Sequence, residues 1–80
     1  MTVPSRAQAE SWTRLTVGEI AASGTREQFH ALLRRIQPHR DVLHLAYPDL
    51  EADVRMAAGT QHTRLRLQDA SQARQQGVAA

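Results

Sequence analysis

The chain has 80 residues, 41% of them hydrophobic, no cysteine, and ten arginines with no lysine against eight carboxylates, giving a formal charge of +2 and a pI near 10.4. A domain this short buries only about 60% of the surface its unfolded chain exposes. Without cysteine neither disulfides nor thiolate metal sites can staple it, so packing or self-association must hold it together and a homodimer is the default expectation. No apolar run is long enough to span a bilayer and no secretory h-region follows Met1, which argues against a membrane protein and for a soluble, cytoplasmic one.

The first helix is expected from Ser5, a good N-cap, to about Arg14, after a frayed start over Met1 to Pro4. Thr16 reads as a second N-cap, because Glu19 three residues on completes a capping box ahead of Ile20, Ala21 and Ala22. Ser23 and Gly24 end that short helix. Thr25 then caps the strongest element, with Gln28 three residues on and Phe29, Leu32, Leu33 and Ile36 at i, i+3, i+4 and i+7. Pro38 is expected to stop this helix at Gln37, since the residue before a proline is pushed out of the helical region. The apolar crowd Val42, Leu43, Leu45, Ala46 and Tyr47 fits a short buried helix or a short buried strand.

Pro48 suits the first turn of a further helix, with Asp49, Glu51 and Asp53 near its positive end and Gly59 at its C-terminal position. Thr63 to Leu67 alternates as T-R-L-R-L, the pattern of a strand, but the Ala/Gln-rich stretch that follows to Gln76 favours a last amphipathic helix starting near Thr63. Gly77 to Ala80 is expected to be disordered. The fold expected is all-α: one domain over 1–80 with its core in about 5–76, built from four or five short helices, with an α+β winged arrangement using a 62–67 strand as the alternative.

The inventory for catalysis is thin. Neither G-x-S-x-G nor H-E-x-x-H nor a Gly-rich phosphate loop occurs, so no enzyme is expected and no cofactor. The metal-ligating candidates His30, His39, His44 and His62, with Glu27 one turn before His30, include no histidine pair at i, i+4, and no metal is expected either.

The segment L-T-V-G-E-I-A-A-S-G-T-R-E-Q-F-H-A-L-L-R-R-I, Leu15 to Ile36, resembles the helix-turn-helix region of small bacterial transcription regulators. In that resemblance Ile20 and Ala21 pack on Phe29, Leu32 and Leu33, and the second helix presents Thr25, Arg26, Gln28 and His30 to base edges in the major groove of double-stranded DNA. Two threonine-capped helices joined by a short turn also describe an ordinary helical hairpin. Arg34, Arg35 and Arg40 cluster near the end of the same helix and Arg64 and Arg66 form a second pair, all suited to phosphates. A GC-rich genome would give the same arginine excess, and Asp41, Asp49, Glu51 and Asp53 lie close enough in sequence to compensate it.

Trp12 stands among polar neighbours, so it either tucks against the core or forms an exposed anchor; with Leu15 it would then suit a dimer interface or a groove on another protein. Two functions follow as expectations. One is a small dimeric DNA-binding transcriptional regulator using the helix-turn-helix-like hairpin. The other is a non-enzymatic protein-binding adaptor or inhibitor that acts by helix docking.

Overall fold

The computed structural model describes the backbone of residues 3–79 and the side chains of residues 3–75. It contains three helices, α1 (Arg6–Ala22), α2 (Arg26–Ala46) and α3 (Pro48–Ala79), and no strand among the described residues. All-α is therefore correct, and the winged alternative is not: Thr63 to Leu67 is helical. Four or five short helices are corrected to three, because each expected break at Thr16, Pro38 and Gly59 lies inside a continuous helix.

At its start α1 is held by a complete capping box, in which Gln8 N donates to Ser5 Oγ at 3.2 Å and Ser5 N donates to Gln8 Oε1 at 3.0 Å. Its buried residues Ala9, Thr13, Thr16 and Ile20 form one stripe at i, i+4, i+7 and i+11. Thr16 is thus a wall of the core rather than a cap. Because three of the four are small, α1 can lie close along α3, and Thr13 satisfies its hydroxyl by donating to Ala9 O at 2.8 Å. Ser23 ends the helix with its hydroxyl on Ile20 O at 2.6 Å, and the buried Gln61 of α3 donates to Ser23 O at 2.5 Å. A carbonyl orphaned at a helix end is satisfied by a side chain from across the bundle.

In α2, Thr25 Oγ1 accepts from Gln28 N at 3.1 Å, and Gln28 Oε1 accepts from Gly24 N at 3.0 Å. Phe29, Leu32 and Ile36 are buried as the periodicity requires, Leu33 is half-buried, and the stripe continues to Leu43. Pro38 sits on the exposed side of the helix. A proline in a helix interior costs about 3 kcal/mol, and burying Leu43 recovers roughly 2 kcal/mol of it.

Tyr47 alone joins α2 to α3: its N–H donates to Leu43 O at 2.7 Å, and its carbonyl accepts from Leu50 N and Glu51 N. With Pro48 at the first position, α3 then runs 32 residues, about 48 Å at 1.5 Å per residue. Its half containing Leu50, Glu51, Val54, Gln61 and Leu65 is the inner face on which both other helices pack, while α1 and α2 meet each other only sparsely. Arg6 at the head of α1 reaches Asp49 at the head of α3, so α1 and α3 run parallel and α2 opposite.

Buried side chains form two clusters, Ile20/Phe29/Leu32/Ile36/Val54/Leu65 and Ala9/Leu43/Leu50, and Trp12 packs against both. From Arg66 to Gln75 every residue is exposed, so α3 continues past its core as a polar rod. The radius of gyration is 15.6 Å, against about 12 Å for a compact chain of this length. Gly77 to Ala79, expected to be disordered, continue α3 as helical backbone, and Met1, Thr2 and Ala80 lie outside the described residues. Pro4 is not frayed: Tyr47 Oη donates to its carbonyl at 2.8 Å.

Candidate interaction surfaces

Five of the ten arginines, Arg6, Arg26, Arg35, Arg40 and Arg55, form ion pairs with carboxylates of the same chain. Arg6 pairs with Glu10 at 2.9 Å and bidentately with Asp49 at 2.9 and 2.5 Å, and its guanidinium lies over the Tyr47 ring. These bonds raise the affinity of Arg6 for its proton, first through Asp49 and then Glu10, and hold the Asp49 carboxyl below its ordinary range. Arg35 pairs with Glu19 across α1 and α2, and Arg26 pairs with Asp69 of α3 at 3.5 Å.

The most committed arginine is Arg40. Its side chain is 17% exposed and donates at 3.1 Å to Glu51, whose own side chain is 7% exposed and also receives Arg55. His44 Nδ1 stands 3.9 Å from the same carboxylate. Hydrogen bonds from Arg55 and then Arg40 hold the Glu51 carboxyl below its ordinary range, outweighing the burial that would push it up. Arg40, expected on a phosphate, is engaged with Glu51 here, and freeing this guanidinium would strand a buried carboxylate. The remaining phosphate candidates Arg34, Arg64 and Arg66 are exposed and make no ion pair among the described residues.

The residues expected at base edges lie at the head of α2. Thr25 and Gln28 are occupied with capping there, while Arg26, His30 and Arg34 share one open, shallow face with Glu27 and Ala31. The head of α2 does not project alone, since Leu65, Gln68, Asp69 and Gln72 of α3 line the same depression as Gly24 to Glu27. Ile20 joins Phe29 and Leu32 in the core, but Ala21 is exposed and packs on neither.

Toward the other end of α2 a groove of about 380 Å³ opens between the first half of α1 and the last half of α2, lined by Pro4, Gln8, Ala9, Trp12, His39, Val42 and Leu43. Its wall carries no carboxylate or guanidinium. Trp12 is half-buried, and its ring stacks on His39 with centroids 5.4 Å apart and planes 18° from parallel. Val42 is shared with a second, shallower depression lined by Val3, Leu45 and Ala46. Leu45 is 85% exposed there, the most exposed large apolar side chain among the described residues, and Val3 is exposed beside it. Leu15, expected to accompany Trp12 at an interface, is 70% exposed but lines neither depression.

Val42 and Leu45 were within reach of the sequence, where they belong to the apolar crowd after Pro38. Only the helical continuation of α2 turns Leu43 inward and leaves Leu45 in solvent. Among the described residues no helix is long and apolar enough to cross a membrane, and no three histidine, aspartate or glutamate side chains are grouped to hold a metal ion. No protein family, curated protein or solved structure matches the chain.

Proposed function

We propose that this chain is a non-enzymatic protein-binding module that takes an apolar side chain or helix face of its partner into the groove between α1 and α2. The observation that carries this reading is the groove itself: a concavity with no carboxylate or guanidinium in its wall, lined by Trp12, His39, Val42 and Leu43 and sharing Val42 with the depression that holds the exposed Leu45. A tryptophan in the wall of an apolar pocket is the kind of group that concentrates binding energy. Exposed apolar surface that adjoins such a pocket is unfavourably hydrated, and covering it lowers the free energy.

A photo-crosslinking side chain at position 45 should form protein adducts in the producing cell. Adding Val42→Arg, which sets a cation in the groove wall, should abolish them. Adducts that persist at the same yield in the Val42→Arg background would remove the groove from the interaction.

A second reading, the small DNA-binding transcriptional regulator, is favoured by one observation. Arg26, His30 and Arg34 share an open face of α2, and Arg34 makes no ion pair among the described residues. Base reading would then come from Arg26 and His30, with Arg34, Arg64 and Arg66 on phosphates. Titrating mixed duplex fragments with the chain at low and moderate salt tests it: a DNA reader binds and weakens steeply with salt. No binding at low ionic strength ends this reading without touching the first.

A further inference from the structure

The groove and its neighbour form one patch in which a hole and a knob lie side by side. The hole is walled by Trp12, Val42 and Leu43, and the knob is Leu45, one helical turn beyond Val42 and almost wholly in solvent. In a two-fold dimer the same patch faces itself, so a residue that contacts a site on its partner is contacted by the equivalent residue in return. A patch can satisfy that condition when it offers both shapes at a short offset. Here Val42 is the shared wall and can lie near the axis, while each Leu45 points to the other copy's groove. Neither depression is lined by a carboxylate or guanidinium, so two copies can close without burying an arginine or a carboxylate from either lining; His39 is the one ionisable side chain in the groove wall.

We infer that the occupant of the groove is a second copy of this chain, joined by a two-fold interface in which Leu45 of each copy seats against Trp12 and Val42 of the other. This rests on the groove reading above and names its partner. It also supplies what an 80-residue chain with little buried surface lacks, further apolar burial without added length.

The test is sedimentation velocity of the full chain over a wide range of concentrations, with the emission of Trp12, the sole tryptophan, followed in parallel. Expected is a shift from the 8.9 kDa monomer toward twice that mass, with Trp12 emission moving to the blue as the dimer forms. Leu45→Arg should weaken association roughly 100-fold or more, because two leucines lose their burial at once. It should not alter the thermal midpoint at low concentration, since Leu45 touches no core. Met56→Arg, at a residue 72% exposed that lines neither depression, should dimerise like the wild type.

A wild type that stays monomeric throughout, or a Leu45→Arg chain that dimerises as well as the wild type, overturns the inference. A leucine-bearing amphipathic peptide separates the two levels. If the wild type is monomeric but the peptide shifts Trp12 emission and Val42→Arg cancels the shift, self-pairing falls and the groove reading stands. If neither a second copy nor the peptide reaches Trp12, both fall.

Discussion

Where α2 passes into α3, a buried carboxylate is gripped by two guanidiniums, Tyr47 ties down the Pro4 carbonyl and Arg6 clamps Asp49. Past Leu65, by contrast, α3 runs on with every side chain through Gln75 in solvent and one long, exposed pair, Arg26 to Asp69, leaning against it. The difference shows that arginine content says little about arginine's task. Arg40 is an internal tie whose loss strands a charge, whereas Arg64 and Arg66 are available to water or to a ligand.

The sharpest way to break this comparison is Glu51→Ala. It leaves Arg40 buried without its counter-ion and should cost about 3 to 5 kcal/mol in urea unfolding; a cost under about 1 kcal/mol would mean that the cluster does not hold this end. Acid should act on the same place. The folded-state affinities of Glu51 and Asp49 for protons are lowered, so their stabilisation is complete above the unfolded carboxylate range near about pH 4 and is lost as pH falls through their lower folded values. The thermal midpoint should therefore drop on acidification below about pH 4, and less steeply in Glu51→Gln. Equal slopes would assign the acid sensitivity elsewhere.

Gln61→Ala should come next, at about 1 to 3 kcal/mol, because it leaves the buried Ser23 carbonyl without its donor. A gain is expected from Gly59→Ala: the added methyl meets nothing within 4 Å, and alanine is favoured over glycine in a helix interior by about 1 kcal/mol. No gain in the melting midpoint would show that helix propensity is not limiting at that point of α3. The smallest effect belongs to the far end. Ending the chain after Ala70 should leave unfolding within about 0.5 kcal/mol of the full chain, and a larger loss would mean that the polar rod is held by contacts beyond its own backbone.

Features whose cause is local were legible in the sequence. Ser5 and Thr25 cap because a hydroxyl three residues before a glutamine sits where a helix must begin, and Phe29, Leu32 and Ile36 face inward because their spacing leaves no other face. Pro38 and Gly59 misled for the converse reason: their costs are local, but the gains that override them come from Leu43, Gln61 and Leu65 meeting other helices. Thr16 met the pattern of a cap, yet its value as a small wall against α3 depends on a helix more than thirty residues away in sequence. Glu51 reads as an acid suited to a helix N-terminus, and nothing along the chain reveals that Arg40 will enclose it across the Tyr47 turn. For the candidate surface, Trp12 stood out by its type, whereas the knob at Leu45 needed the phase of α2 fixed beyond its proline.

Trp12 touches both groups of buried side chains and also forms part of the groove wall. Its ring is thus the keystone at which the two halves of the interior meet, and it is reachable from outside. A guest pressed against it props the joint it fills, so resistance to melting rises with guest concentration, and rises sooner the tighter the guest is held.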